Sequence, residues 1–127
     1  MSFAAFAAVG AGAACGAWLR WGLGVWLNPA FALVPLGTLV ANLLGGLLMG
    51  LALGAVQAWP ALPAAVKLLI TTGLLGGLTT FSTFSAEAFH LLQRGALGWL
   101  GLHVTAHVLG SVLMTWAGYA LFNALRA

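Results

Sequence analysis

The residues with the most chemistry to offer lie in one stretch, Gly73-Leu-Leu-Gly76-Gly77-Leu-Thr79-Thr80-Phe81-Ser82-Thr83-Phe84-Ser85-Ala-Glu87. It sits inside a long apolar segment, yet it is poor helix material. Each of its glycines weakens a helix by roughly 1 kcal/mol relative to Ala. Thr79 and Thr80 are β-branched and can hydrogen-bond back to the local backbone. The stretch is therefore expected to break a membrane helix, which is tolerated only where the backbone is buried in protein or lines water. Such breaks offer carbonyls and amides to ions. Phe81 and Phe84 are three residues apart and share a helical face. They are either core or lipid-facing aromatics, or they act through the ring quadrupole, whose positive edge attracts an anion without a fixed charge. Ser82 and Thr83 add hydroxyl donors beside the rings, and Asn42 can add an amide donor. Together these residue types suit a path for a small, strongly hydrated anion whose water must be partly replaced.

The elements that must position them follow from composition. The chain has 127 residues, of which 63% are hydrophobic and 4% charged. A soluble domain carries about 25% charged residues, so these residues cannot cover a water-facing surface. The fold class is all-α integral membrane, a single four-helix transmembrane domain over residues 1–127. A span needs roughly 20 apolar residues, and four spans are expected at about 3–27, 36–58, 65–92 and 97–125. Asn28-Pro29, Pro35, Trp59-Pro60-Ala-Leu-Pro63 and Gln93-Arg94-Gly95 mark the turns between them, because Pro lacks an N–H and restricts the residue before it. The midpoint of the third span falls near Thr79, which places the expected break near the bilayer centre. Gly12-xxx-Gly16 on the first span and Gly46-xxx-Gly50-xxx-Gly54 on the second have the small-residue spacing that lets helix backbones approach closely. On the first span, the same glycines also fit a simple effect of composition.

The four Lys/Arg residues, Arg20, Lys67, Arg94 and Arg126, are scattered, which excludes a clustered nucleic-acid footprint. Each falls near an expected span end, where a cationic head can reach the headgroups. Lys67 and Arg126 flank one side of the membrane, Arg20 and Arg94 the other. Orientation follows Lys/Arg bias, and here there is none, so the chain is expected to insert both ways and pair as an antiparallel homodimer. A twofold axis in the membrane plane would bring the two breaks together. With no carboxylate required there, a hard divalent ion is disfavoured, and a monovalent cation such as sodium suits a cage of neutral carbonyls.

Other residues leave alternatives open. Thr38 and Asn42, four apart, share a face of the second span, and Asn42 is either interhelical glue or part of a polar path. Glu87, the only acid, lies inside a span. It is functional by default, or it is a structural lock to a hydroxyl or basic neighbour; either way it should be hydrogen-bonded or set aside from an anion path. His103 and His107 have the spacing of a two-histidine metal site, but no third ligand is evident, so packing or interhelical bonding is favoured. Cys15 can form no internal disulfide and is expected to pack as a small hydrophobe. Trp116 lies too deep for an interfacial belt.

These motifs resemble a known family. Gly76-Gly77-Leu-Thr79-Thr80-Phe81-Ser82-Thr83-Phe84 is similar to the signature of the Fluc (CrcB) fluoride channels. So are Gly16-Ala-Trp-Leu-Arg20-Trp, Gly37-Thr38-Leu-Val-Ala-Asn42-Leu-Leu-Gly45 and Gly110-Ser111, in the right order on all four spans. The resemblance implies a dual-topology homodimer in the cell's inner (plasma) membrane, with two antiparallel fluoride pores that export fluoride passively and confer fluoride resistance. It implies that Asn42, Phe81 and Phe84 take pore positions, with Ser82, Thr83 and Ser111 beside them. It also implies that the carbonyls of Gly76 and Thr79 hold a central structural sodium ion, and that Arg20 is the basic residue ending the first helix, at the mouth or as a headgroup anchor. His107, one turn before Ser111, stands where a smaller or amide side chain is expected.

Two other functions compete. A small dual-topology proton-coupled multidrug exporter needs a carboxylate on the first helix, and the first span has none. A non-transporting membrane scaffold would tolerate apolar replacements of its Phe and Asn residues. No phosphate-binding Gly-xxxx-Gly-Lys-Ser/Thr motif is present, and no nucleophile–base pair or metal constellation points to an enzyme.

Overall fold

Four apolar segments become four helical spans in the computed structural model, which describes all of residues 1–127. The first helix, α1 (Phe3–Leu27), is capped by Ser2, whose hydroxyl oxygen accepts the Ala5 N–H at 3.2 Å. Pro29 then tightens Asn28–Ala30 into a 3-10 turn. Pro35 precedes α2 (Leu36–Ala58) and offers no side-chain cap. The missing acceptor comes from Asn28, whose Oδ1 takes the N–H groups of Gly37 at 2.7 Å and Thr38 at 3.3 Å, so the first turn also starts the second span.

The third span runs Ala64–Gln93 and is made of several pieces. A short α3 (Ala64–Leu68) leads into a π-helical stretch, Leu69–Leu75, and then into one turn, α4 (Gly76–Leu78). Thr71 and Thr79 turn their hydroxyls back onto the carbonyls four residues earlier, both at 2.8 Å. Thr79 (φ −83°, ψ 155°) and Thr80 (φ −150°, ψ 117°) are extended, and α5 (Phe81–Gln93) follows. Gly95, at φ +67°, takes the left-handed conformation that favours glycine and turns the chain into α6 (Leu97–Arg126).

The glycine spacings act as packing surfaces. A Cβ on Gly12 would meet the Leu69 carbonyl and, at 2.7 Å, the Leu74 nitrogen; one on Gly16 would meet the Leu74 carbonyl and, at 2.6 Å, the Leu78 nitrogen. The backbones of α1 and the third span are therefore in direct contact, and the glycines of α1 are there for close approach. A Cβ on Gly50 would strike the Thr115 carbonyl, and one on Gly118 the Leu47 carbonyl, so α2 and α6 pack the same way. Before Thr79 the third span lies along α1; after Thr80 it lies against α6. The extended pair is what moves the span from one neighbour to the other.

Aromatic contacts tie the ends of the spans together. Arg126 sits over Trp59 at 5.5 Å on one side, and Phe31 meets Trp99 at 5.4 Å on the other. Cys15 does not pack inside the chain as expected but is exposed on α1, because Gly12 and Gly16 take the face that meets the third span. Trp116 projects from α6 near Ser111, Thr115 and Tyr119, and faces out of the chain.

Candidate functional site

The site is built around Thr80. Thr79 still donates its N–H to the Leu75 carbonyl at 3.0 Å, but the backbone groups of Thr80 find no helical partner, and a buried backbone group without a partner costs about 1–3 kcal/mol. Asn42 of α2 meets the need. Its Oδ1 accepts the Thr80 N–H at 2.8 Å, and its Nδ2 donates to the Thr80 carbonyl at 3.1 Å. The Thr80 hydroxyl oxygen then caps α5 by accepting the Thr83 N–H at 3.1 Å, and it donates to the Thr83 hydroxyl at 3.0 Å. From α1, the Arg20 Nε donates to the Gly77 carbonyl at 3.0 Å. For Arg20, expected at a mouth or in a structural role, the structure shows Nε committed to the backbone just before the extended pair.

Beside Thr80 lies a cavity of about 380 Å³ whose lining includes Asn42, Thr79, Phe81, Phe84, His107 and Ser111. Of the residues expected along a polar path, Asn42, Phe81, Phe84 and Ser111 are thus brought together. Ser82 and Thr83 do not line this cavity; their hydroxyls sit 3.3 and 3.0 Å from that of Thr80. The two phenylalanine rings are 5.4 Å apart and tilted by 55°. Their settings differ: Phe84 is 7% exposed and Phe81 77%. Phe84 packs its ring on His103 at 5.2 Å and on His107 at 4.8 Å. No carboxylate, lysine or arginine lines the cavity. Polar groups, aromatic rings and a few apolar residues, Met49 and Val108 among them, form its surface without a fixed charge.

Glu87 is set aside from that cavity and locked. The Thr38 hydroxyl donates to its Oε1 at 2.5 Å, and His103 Nε2 lies 3.5 Å from its Oε2. It also lines an outer groove with His90 and Arg94. The expectation that the histidines have no third partner is corrected here. One ligand atom from each of Glu87, His103 and His107 falls within 4.8 Å of the others, because α5 brings Glu87 against α6. The role of His107 as a partner of Asn42, with its Nδ1 at 3.0 Å from Asn42 Nδ2, was also not anticipated. Its position one turn before Ser111 on the same face was the available signal.

Residues 7–119 match the profile of a family described as CrcB-like protein, Camphor Resistance (CrcB). The chain belongs to the CrcB family. A relative from Aromatoleum aromaticum, named Fluoride-specific ion channel FluC, is 66% identical over 122 residues, covering 96% of this chain and 93% of that protein. Relatives of the same name from Thiobacillus denitrificans and Pseudomonas putida are 56% and 55% identical, covering 96% and 91% of this chain and 98% and 91% of their own lengths. The resemblance drawn from the motifs therefore holds. With four spans long and apolar enough to cross a membrane, this CrcB-family chain is a multi-pass membrane protein.

Proposed function

We propose that the protein is a fluoride channel that gives passive export of the anion across the cell's plasma membrane. The observation that carries this is the cavity beside Thr80: aromatic rings, an imidazole and hydroxyls, with no carboxylate, lysine or arginine. Fluoride holds its water tightly, so a path must return hydrogen bonds as the water leaves. A cation in the path would trap the ion and a carboxylate would repel it. Ring edges and neutral donors do neither. The relatives' shared name agrees with this chemistry. Fluoride that enters a cell as the neutral acid ionises and is trapped, and a membrane potential negative inside drives it out through such a leak.

The working unit in this proposal is an antiparallel homodimer with two pores, its subunits meeting where Thr79 and Thr80 cross the bilayer midplane. Gly76 is exposed, and a Cβ there would meet nothing nearer than the Thr71 carbonyl at 3.8 Å, which leaves room for a partner. A structural sodium ion suits the same place. The N–H that would serve the Gly76 carbonyl in a helix, that of Thr80, goes to Asn42. The one that would serve Thr79, that of Thr83, goes to the Thr80 hydroxyl. Two neutral carbonyls per chain are thus left to hold a monovalent cation, whose charge would balance their converging dipoles.

The test is flux from liposomes containing the purified protein. Fluoride should leave and chloride should not, with no proton gradient. Phe81→Ile and Phe84→Ile should abolish release while the dimer still elutes at the same volume. Export of organic cations that depends on protons, or no flux of either kind, would refute the proposal.

A further inference from the structure

We propose that His107, through its Nε2–H, is the hydrogen-bond donor that the site beside Phe84 offers to a dehydrated anion; this rests on the channel reading above. The Thr80 N–H can only donate, so the Asn42 atom facing it at 2.8 Å is the carbonyl oxygen. The other atom is then the amide nitrogen, with two protons. One goes to the Thr80 carbonyl at 3.1 Å and the other to His107 Nδ1 at 3.0 Å. Asn42 therefore has no donor left for an ion.

The donor capacity passes to the imidazole. Accepting at Nδ1 leaves the proton of the neutral ring on Nε2. That nitrogen is buried and has no partner, in a residue only 4% exposed. Such groups are rare, and each calls for an explanation or an occupant. The ring of Phe84 lies 4.8 Å away, so an anion that leaves its water beside Phe84 has this N–H within the same small space. Two other buried atoms nearby lack partners, His103 Nδ1 and Glu87 Oε2. Both are acceptors. A carboxylate oxygen accepts, and His103 must carry its proton on Nε2, because that nitrogen faces the Phe84 carbonyl at 3.4 Å. Of the three, only His107 serves an anion.

The same bonding pattern removes the metal site that the cluster suggests. One ligand atom from each of Glu87, His103 and His107 does lie within 4.8 Å of the others. A cation, however, needs a bare nitrogen lone pair. At His107 one nitrogen is taken by the Asn42 N–H and the other carries the proton.

Two measurements on the full dimeric protein test this. In nanodiscs with 15N-histidine labelling, His107 should be the neutral Nε2–H tautomer, and its Nε2–H resonance should move on addition of sodium fluoride but not sodium chloride. In liposomes, His107→Leu, which keeps bulk but has no donor, should cut fluoride efflux at least tenfold. A proton on Nδ1, a fluoride-insensitive Nε2–H, or binding of zinc chloride that His107→Leu removes would each overturn the assignment. Wild-type efflux that His107→Leu leaves unchanged would sink this inference alone. A wild type that passes no fluoride would instead sink the channel reading. The resonance measurement needs no variant, so a His107→Leu protein that failed to fold would still leave the assignment open to refutation.

Discussion

Replacing Asn42 by Leu removes one side chain and exposes the backbone problem it solves. Thr80 is 9% exposed, and its N–H and carbonyl both lose their partner in the variant. Each buried group left unmade costs about 1–3 kcal/mol, so the pair should cost about 2–6 kcal/mol. Against a total stability of about 5–15 kcal/mol, such a loss is a large fraction and should lower the melting temperature clearly. The readout is thermal unfolding in one detergent, followed by fluorescence-detected size exclusion, with fluoride efflux measured in parallel. Gln57→Leu is the matched control. It breaks a hydrogen bond of similar length, the Tyr119 hydroxyl to Gln57 Oε1 at 2.7 Å, but at an exposed position. Water can replace that bond, so the loss should stay within about 1 kcal/mol. Equal destabilisation by the two substitutions, or an Asn42→Leu protein that melts with the wild type, would refute the assignment of Asn42 as the frame of Thr80.

Two further outcomes follow from packing and hydrogen bonding. Gly50→Ala puts a methyl group against the Thr115 carbonyl and, at 2.6 Å, the Tyr119 nitrogen; both are backbone, so α2 and α6 must separate, at about 1–3 kcal/mol or more. Gly101→Ala, with nothing within 4 Å, should instead raise the melting temperature slightly through helix propensity. Thr38→Val removes the hydroxyl that donates to Glu87 and should lower stability by about 1–3 kcal/mol in the same melting assay. Thr38→Ser, which keeps the donor, should not, and identical melting of the Val and Ser variants would refute the lock.

The spans were legible because hydropathy and punctuation agree. Pro35, Pro63 and Gly95 bound α2, the third span and α6 within about a residue of where sequence alone sets them. The partners were not legible. Helices that are apolar all round have no single buried stripe, so their sequences do not say which face meets which neighbour. Arg20 could be placed near a span end but not against Gly77, 57 residues later. The histidines were read along their own helix, where no third ligand exists; Glu87 reaches them from α5 across a helix contact. Asn42 was seen as glue or as pathway. In this chain its hydrogen bonds are all to protein, and the free donor proposed above lies one hydrogen bond further on, at His107.

Several polar groups around Thr79 and Thr80 can be followed to a partner, and what is left over bears on the proposed ion. Arg20 takes the Gly77 carbonyl, Asn42 takes both backbone groups of Thr80, and the Thr80 hydroxyl takes the Thr83 N–H. The Gly76 and Thr79 carbonyls are among those deprived of their helical donors. Arg20 is the cation of this chain that reaches the region, and its Nε is committed to Gly77. Positive charge for the remaining carbonyls must then come from outside the chain. A divalent ion would demand charged oxygen ligands, and the one acid, Glu87, is hydrogen-bonded to Thr38 and lies beside His103. Neutral carbonyls from two chains favour a singly charged ion. Arg20→Gln sharpens this: releasing the Gly77 carbonyl adds a third neutral ligand without removing the first two. A dimer that needs sodium should therefore keep that need in the variant, read as sodium-dependent melting. Loss of the sodium dependence would instead mean that Arg20, and not the ion, sets the geometry of these carbonyls.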